Sequence, residues 1–187
     1  MTPTFRTSRP GSEADPSKPH VILVGLPGAG KSTIGAAVAE RLGRSFLDLD
    51  VELERREGRS VGQIFGEQGE GYFRQKEREL TEELKLVGNM ILAPGGGWIG
   101  DPRVVSLLHP PGRLIYLRVR PVTALARLGP DRALRPLLSR PEPLVELERL
   151  YRERRAAYEA ADETVDTELF GLQRVIERVA ELASFSE

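Results

Sequence analysis

Short apolar runs alternate with longer amphipathic stretches from His20 onward. The runs predict strands at His20–Val24, Ser45–Asp48, Met90–Ala93, Arg113–Leu117 and Thr164–Asp166. The stretches between them predict helices near Lys31–Leu42, Gly71–Leu86, Pro121–Leu128, Pro143–Glu159 and Leu169–Ala183, the last with an apolar face of Leu172, Val175, Ile176, Val179 and Leu182. Strands that alternate with helices indicate an α/β fold whose parallel sheet is covered on both faces.

Two segments fall outside this alternation. Residues 1–19 contain four prolines and few apolar residues, which predicts a disordered leader before a single domain at 20–187. Residues 127–143 are rich in proline and arginine and have no clear periodicity. We interpret 127–143 as a mobile excursion from the sheet, either a lid over a ligand or a basic surface loop.

Composition excludes several classes of protein. The 187 residues contain no cysteine and two histidines, which removes disulfides, thiolate zinc sites and multi-histidine metal sites. The net charge of −1 argues against a nucleic-acid-binding surface along the whole chain. No apolar run is long enough to span a membrane and no signal peptide is recognisable. We therefore expect a cytoplasmic protein, monomeric by default, with neither nucleic-acid nor membrane partners.

The strongest motif joins the first strand to the first helix. Gly25-Leu26-Pro27-Gly28-Ala29-Gly30-Lys31-Ser32-Thr33 fits the pattern G-x-x-x-x-G-K-[ST] in the required context. Backbone N–H groups and the helix N-terminus favour phosphate oxygens, Lys31 reaches the β- and γ-phosphates, and Ser32 is placed for Mg²⁺. A glycine turn without a ligand would not need both Lys31 and Ser32 in register. A GTPase is disfavoured because the chain has no Asn-Lys-x-Asp segment.

An acid pair follows the second strand. Because residues i and i+2 of a strand share a face, Asp48 and Asp50 are expected to project together over the ligand-binding end of the sheet. One carboxylate can hold Mg²⁺ through water while the other orients an acceptor hydroxyl. The alternative is helix capping, with Asp50 as the N-cap of a helix at 51–57.

Three further features are candidates for substrate binding. Arg74 follows two aromatic residues, and Glu77 three positions later can hold its guanidinium, although a solvated charged helix face would look similar. Gly95, Gly96 and Gly97 follow the third strand and indicate either a tight turn or close approach of a ligand to the backbone. Trp98 after them forms a pocket wall or belongs to the core.

Together these residues resemble the shikimate kinase family, from about His20 to the C-terminus. The matching motifs are Gly25–Thr33, Asp48-x-Asp50, Phe73-Arg74-x-x-Glu77, Gly95-Gly96-Gly97, Arg135-Pro136-Leu137-Leu138 and Arg154-x-x-x-Tyr158. The resemblance implies a P-loop kinase fold, a three-layer α/β/α arrangement with a five-stranded parallel sheet in the order 2-3-1-4-5. It also implies ATP- and Mg²⁺-dependent phosphorylation of the 3-hydroxyl of shikimate.

The resemblance assigns roles residue by residue. It places the ATP phosphates on Gly28, Ala29, Gly30, Lys31, Ser32 and Thr33, Mg²⁺ on Ser32 and Asp48, and the shikimate hydroxyls on Asp50 as base or orienter. It places the shikimate carboxylate on Arg74 and Arg154 with the backbone of the Gly95–Gly97 turn, Arg135 over the phosphates and Arg127 against adenine. Lys31, Asp50 and Arg135 are thus the expected catalytic residues. Arg152 and Arg155 compete with Arg154, which only the spacing to Tyr158 selects.

Two other functions have different signatures. A kinase of another small hydroxy acid, such as gluconate, shares the phosphate loop and an acid after the second strand, but not the full set of motifs. A nucleotide-binding regulatory module without turnover has no need of Asp50 on the acceptor side. Three departures from the family's pattern concern the bulky Trp98, the proline-rich excursion and the lack of a convincing basic residue after Asp166 to line the adenine site.

Overall fold

Five parallel strands form one sheet within the part of the chain that the structure describes, which is residues 18–129, 138 and 141–184 of a computed structural model. The strands are β1 (Val21–Val24), β2 (Ser45–Asp48), β3 (Met90–Ala93), β4 (Arg113–Arg118) and β5 (Glu163–Asp166). Their order is β2-β3-β1-β4-β5, and every neighbouring pair is parallel. This confirms the predicted sheet, and the predicted strand bounds agree to within one residue.

Helices connect the strands on both faces of the sheet. They are α1 (Lys31–Leu42), α2 (Leu49–Glu57), α3 (Val61–Leu84), α4 (Pro102–Val105), α5 (Pro121–Leu128), α6 (Pro143–Glu159) and α7 (Leu172–Ser184). All side chains of β1 and β3 are buried, as parallel strands covered on both faces require. Helix α1 packs on α7, and α5 packs on α6.

Helix α3 is longer than predicted. It begins at Val61, where Ser60 and Gln63 form a capping box, and bends at Gly69, which has a φ of 83°. The predicted helix at Gly71–Leu86 therefore corresponds to the part beyond the bend, which ends at Leu84. The first part of the helix was not predicted from the sequence because it contains several glycines. Glycine has a low helix propensity and is common in loops.

The apolar face predicted for the last helix is correct in all positions but one. Val175, Ile176, Val179 and Leu182 are buried, whereas Leu172 is 54% exposed. Leu172 lies in the first turn and lines a cavity at the carboxyl edge of the sheet. The helical period assigns Leu172 to the apolar face of α7, but it does not show that the core ends before the first turn of this helix.

The chain joins the domain at Lys18 and Pro19. The Lys18 carbonyl accepts a hydrogen bond from Asn89 N–H (2.8 Å), and the Pro19 carbonyl accepts one from the Arg44 guanidinium (2.8 Å). Arg44 also donates to carbonyls of Asn89, Met90 and Ala183, and its burial lowers its pKa to about 10. Arg44 therefore ties the first described residues to β3 and α7.

Most of the two irregular segments lies outside the described residues. Residues 1–17 of the predicted leader are among these, as are residues 130–137, 139 and 140 of the predicted lid. Within the lid range, Leu138 is described and buried. No helix in the described ranges is both long and apolar enough to cross a bilayer.

Candidate active site

The loops after β1, β2 and β3 meet at the carboxyl edge of the sheet. β1 lies between β3 and β4, so the chain leaves β1 at the position where the strand order changes direction. In open α/β sheets this position is a crevice that binds ligands. The loop after β1 carries the phosphate motif, the end of β2 carries the acid pair, and the three glycines follow β3.

The loop Gly25–Gly30 has the conformation that a phosphate cradle needs. Gly28 and Gly30 have φ angles of 84° and 91°, which favour glycine, and Gly30 precedes the first turn of α1. A Cβ on Gly28 would overlap the carbonyl oxygen of Ala124 in α5. Lys31 Nζ donates to the carbonyls of Gly25 (2.9 Å) and Leu26 (3.2 Å), which holds the ammonium group across the loop.

A cavity of about 520 Å³ opens over this loop. Its lining brings together the predicted phosphate residues with Asp48, Asp50, Gly95, Gly96 and Arg127, and the complete set is Gly28, Ala29, Gly30, Lys31, Ser32, Thr33, Ile34, Asp48, Asp50, Pro94, Gly95, Gly96, Arg127, Leu128, Thr167, Phe170, Leu172 and Val175. We call it the donor cavity. The structure therefore collects residues from five helices and strands and from three loops around the N-terminus of α1.

Asp48 links the phosphate loop to α2. Its Oδ2 accepts a hydrogen bond from Ser32 Oγ (2.5 Å), while its Oδ1 accepts from the backbone N–H groups of Asp50 and Val51. Asp48 is therefore the N-cap of α2, and the alternative of Asp50 as N-cap is wrong. A hydroxyl and a carboxylate oxygen in contact are the hard donors that Mg²⁺ prefers.

The oxygens of Ser32 and Asp48 suit a magnesium ion that takes most of its ligands from outside the protein. The described residues contain no group of three or more acidic, histidine or cysteine side chains that could enclose a metal. Mg²⁺ commonly binds through one or two protein oxygens together with substrate phosphates and water. Ser32 and Asp48 fit that mode.

Asp50 reaches the same cavity by a different route from the predicted one. It lies in the first turn of α2, not on β2, so strand alternation does not explain its direction. The chain turns into the helix directly after Asp48, and this turn places both acids at the sheet edge. The predicted juxtaposition of Asp48 and Asp50 in one cavity is present, whereas the geometric reason for it was wrong.

Each of the three glycines makes room for one candidate side chain. A Cβ on Gly95 would lie 2.5 Å from Asp50 Oδ1, one on Gly96 would lie 3.2 Å from Arg154 Nη1, and one on Gly97 would overlap the Arg74 guanidinium. None of the three has a positive φ. The turn itself is closed by a hydrogen bond from Trp98 N–H to Gly95 O (3.1 Å). Glycine is needed here for space rather than for backbone conformation.

Arg74 is held by carboxylates on its own helix. Its Nη1 donates to Glu77 Oε2 (2.7 Å) and its Nη2 to Glu70 Oε1 (3.1 Å), which confirms the predicted Arg74–Glu77 pair. Burial raises the pKa of Glu77 to about 7, against the opposing effect of the Arg74 charge. Nearby Asp50 also raises the pKa of Glu77 and Arg154 lowers it, so these four charged groups form one electrostatic cluster.

Burial distinguishes Arg154 from its neighbours on α6. Arg154 is half-buried and faces the glycine turn, whereas Arg152 and Arg155 are exposed. Arg155 also pairs with Glu159 one helical turn further on (2.8 Å). Of these three arginines, Arg154 is thus the one that lies at the glycine turn, and its role as a ligand stays a prediction.

A second cavity, of about 580 Å³, lies on the other side of the glycine turn, and we call it the acceptor cavity. Arg74, Glu77, Gly97, Trp98 and Arg154 line it, together with Glu70, Gln75, Arg78, Gly100, Asp101, Val104 and Glu153. Trp98 is 1% exposed and donates from Nε1 to Thr81 Oγ1 (3.1 Å), so it is both a wall of this cavity and part of the core. The predicted substrate residues are thus divided between two cavities that meet at the turn Gly95–Gly97.

The outer part of the donor cavity was only partly anticipated. The Arg127 guanidinium donates hydrogen bonds to Thr167 Oγ1 and to the Thr167 carbonyl oxygen (2.7 Å each). These bonds fix the guanidinium against the loop after β5. Phe170 and Leu172 line the cavity although both are more than half exposed. The sequence signal for this part of the cavity was the presence of large apolar residues directly after the last strand. Arg135 lies outside the described residues.

The fold and this site together define a P-loop kinase: a parallel sheet in the order 2-3-1-4-5, a phosphate loop between β1 and α1, and an acid pair beside it. The family model of shikimate kinase matches residues 27–183. The chain belongs to the shikimate kinase family. It is an ATP-dependent kinase, a transferase whose acceptor is a small molecule.

Individual relatives agree with this assignment. A shikimate kinase of Burkholderia thailandensis is 44% identical over 152 residues, which is 80% of this chain and 82% of the relative. The solved shikimate kinase of Acinetobacter baumannii, in complex with shikimate, is 35% identical with a TM-score of 0.83, covering 89% of this chain and 93% of that one. The shikimate kinase structure from Aquifex aeolicus is 33% identical with a TM-score of 0.75, covering 88% and 95%.

Proposed function

We propose that this kinase transfers the γ-phosphoryl group of ATP to the 3-hydroxyl of shikimate and releases shikimate 3-phosphate and ADP. The observation that carries the proposal is the packing of Asp50, Arg154 and Arg74 against three consecutive glycines beside the phosphate loop. An acid and two arginines around one backbone turn suit a small acceptor that has both hydroxyl groups and a carboxylate. The complex of the Acinetobacter relative with shikimate supports this choice of acceptor.

The two arginines supply the recognition of the carboxylate. A guanidinium donates parallel N–H groups that match a carboxylate in a bidentate pair. Arg74 and Arg154 line the acceptor cavity from two helices, and Glu77 limits the motion of Arg74. The carboxylate of shikimate then lies on the acceptor-cavity side of the turn, and its ring extends past Gly96 toward Asp50.

Asp50 orients the hydroxyl that attacks. The hydroxyl oxygen forms a bond to the γ-phosphorus, the bond from that phosphorus to the β,γ-bridging oxygen breaks, and the hydroxyl proton passes to the Asp50 carboxylate. Such a positioned acid contributes by aligning the nucleophile and by accepting its proton. The adjacency of Asp50 to both Gly95 and the phosphate loop supports this role.

The donor nucleotide lies along the donor cavity. The backbone N–H groups of Gly28–Thr33 and the Lys31 ammonium bind its phosphates, and Arg127 lies against adenine. Phe170 and Leu172 supply apolar contacts on the same side of the cavity. For Arg135, which lies outside the described residues, we propose the role that the family resemblance implies, stabilisation of the charge of the transition state.

Ser32 and Asp48 would hold Mg²⁺, with Asp48 acting through water. The ion supplies neutralisation of charge on the transferring phosphoryl group. The direct Ser32–Asp48 hydrogen bond keeps the two oxygens together (2.5 Å). We further propose that the chain acts as a cytoplasmic monomer with one catalytic domain, to which Lys18 and Pro19 are also bonded.

The test is ADP release with ATP and Mg²⁺, compared between shikimate, gluconate and no added acceptor. We expect release to depend on shikimate. Asp50→Asn should lower kcat at least about 100-fold, because the amide cannot accept the proton, while the KM for ATP changes less than about twofold. Glu57→Gln, at the far end of α2, is the control and should retain the wild-type kcat.

Each other result has a definite consequence. Release that depends on gluconate would retain the fold and refute the proposed acceptor. ATP binding with no acceptor-dependent release would indicate a regulatory module. An Asp50→Asn variant with wild-type kcat would refute the role of Asp50.

A further inference from the structure

A pair of stacked tyrosines connects the acceptor site to the centre of the sheet. The rings of Tyr116 in β4 and Tyr158 in α6 are 5.0 Å apart between centroids and inclined by 4°. Both side chains are buried, at 2% and 0% exposure. Tyr116 is paired with Val24, the last residue of β1 before the phosphate loop. The stack therefore sets the position of α6 relative to the strand that leads into the donor site.

The hydroxyl of Tyr158 lies among the groups of the acceptor site. It donates a long hydrogen bond to Gly96 O (3.5 Å), in the turn that separates the two cavities. Arg154 precedes Tyr158 by four residues and lies on the same face of α6. Burial raises the pKa of the Tyr158 hydroxyl, and the nearby Arg154 guanidinium opposes this increase without cancelling it. The Tyr158 hydroxyl and the Arg154 guanidinium thus meet the same glycine of the turn, the hydroxyl through the Gly96 carbonyl and the guanidinium with Nη1 3.2 Å from where a Cβ on Gly96 would lie.

We propose that Tyr158 is a positioning residue whose hydroxyl holds Arg154 and the Gly96 carbonyl in the arrangement that binds the acceptor carboxylate. The proposal rests on the function proposed above. A guanidinium on an exposed helix face samples many rotamers, and binding a carboxylate then costs the entropy of ordering it. The buried Tyr158 hydroxyl orders the Arg154 side chain in advance, which reduces this entropic cost when the acceptor binds. The role is limited to the acceptor because Tyr158 lines neither the phosphate loop nor the donor cavity.

The chain offers a matched control in the same stack. The Tyr116 hydroxyl is buried and has no hydrogen-bond partner among the described residues. Tyr116→Phe and Tyr158→Phe remove the same atom from adjacent stacked rings, and both retain the aromatic packing. A general effect of losing a buried hydroxyl would appear in both variants, whereas a positioning role appears only in Tyr158→Phe.

The experiment measures KM for shikimate, KM for ATP and kcat for the wild type and the two variants. Shikimate binding without ATP is followed by the fluorescence of Trp98, the only tryptophan of the chain, which lines the acceptor cavity. Tyr158→Phe should raise the KM and the dissociation constant for shikimate about five- to tenfold, as loss of a hydrogen bond beside a charged group predicts. Its kcat and its KM for ATP should change less than about twofold. Tyr116→Phe should stay within about twofold in all constants.

A double-mutant cycle separates positioning from a structural role. In an Arg154→Met background, Tyr158→Phe should have less than about twofold further effect on the KM for shikimate, because the hydroxyl acts through Arg154. Equal effects of Tyr158→Phe with and without Arg154 would overturn the proposal, as would equal constants for the two phenylalanine variants. A wild type without shikimate-dependent ADP release would overturn the proposed function and this inference together.

Discussion

The donor and acceptor sides of this kinase are built in opposite ways. On the donor side, the proposed phosphate-binding groups lie in one contiguous segment, Gly28–Thr33, and are mostly backbone N–H groups at a helix N-terminus. The acceptor side combines Asp50, Arg74, the glycine turn and Arg154, four places on the chain that come together only in the fold. Its proposed binding groups are mostly side chains, and the carboxylates of Glu70 and Glu77 hold Arg74 in place.

This difference determines how each side responds to change. A Cβ added at Gly28 on the donor side meets the backbone of Ala124, which cannot move without displacing α5. A Cβ added at Gly96 or Gly97 on the acceptor side meets the end of a flexible guanidinium, which can yield at the expense of its binding geometry. We therefore expect donor-side substitutions to abolish turnover and acceptor-side substitutions to alter mainly the KM for the acceptor.

The largest effect is expected from Gly28→Ala. A methyl group there overlaps Ala124 O and also requires alanine at a φ of 84°. The loop must shift, and a shift of about 1 Å in phosphate position lowers kcat about 100-fold or more. Steady-state ADP release measures the loss.

Gly58→Ala is the control for backbone strain without overlap. Gly58 has a φ of 64° at the end of α2, and a Cβ there would meet nothing within 4 Å. Gly58→Ala should lose about 1 kcal/mol of stability and retain its kcat. Wild-type turnover in Gly28→Ala would contradict the view that the donor loop cannot yield.

An intermediate effect is expected from Gly97→Ala. The added methyl group displaces the Arg74 guanidinium from the turn, so the carboxylate loses part of one bidentate contact. The KM for shikimate should rise about tenfold, while the KM for ATP stays within about twofold. Initial rates at varied shikimate and varied ATP measure the two constants.

Gly71→Ala, on the same helix as Arg74, has open space around its Cβ and should leave both constants unchanged. Equal increases in the two KM values for Gly97→Ala would show that the sides are not independent. Such a result would weaken the comparison between them.

The smallest effect concerns the buried acid of the acceptor side. Burial raises the pKa of Glu77 from its ordinary value of 4.5 to about 7. Between these two values the folded protein holds a proton that the unfolded chain releases, so the contribution of Glu77 to stability falls as pH rises through this window. Relative to Glu77→Gln, the wild-type Tm should fall by about 5 °C between about pH 5 and about pH 8.

Glu79→Gln on the same helix is the control. Hydrogen bonds from Lys76 and Gln75 lower the pKa of Glu79, so no fall of this sign is expected between its wild-type and variant curves. Thermal unfolding followed by circular dichroism provides the values. A constant Tm difference between wild type and Glu77→Gln across the range would show that Glu77 stays ionised in the folded protein.

Local sequence was sufficient for the strands and for the donor loop. An apolar run of four residues followed by Gly25–Thr33 predicts a strand, a phosphate loop and a helix, because each depends on neighbouring residues and on backbone conformation. The sheet order, in contrast, followed from resemblance to a family. The capping alternative named Asp50 rather than Asp48, because both aspartates satisfy the sequence preference for an N-cap.

The acceptor site depended on tertiary structure. Sequence motifs selected Arg74, Arg154 and the three glycines, but not that each glycine would give space to one particular side chain. Nor did they show that the site is divided between two cavities, or that Tyr158 lies beneath Arg154 on Tyr116. Residue types and their spacing thus determined the chemistry and the donor loop. Packing between distant elements decided which side chains meet, because burial and orientation depend on the whole sheet and its helices.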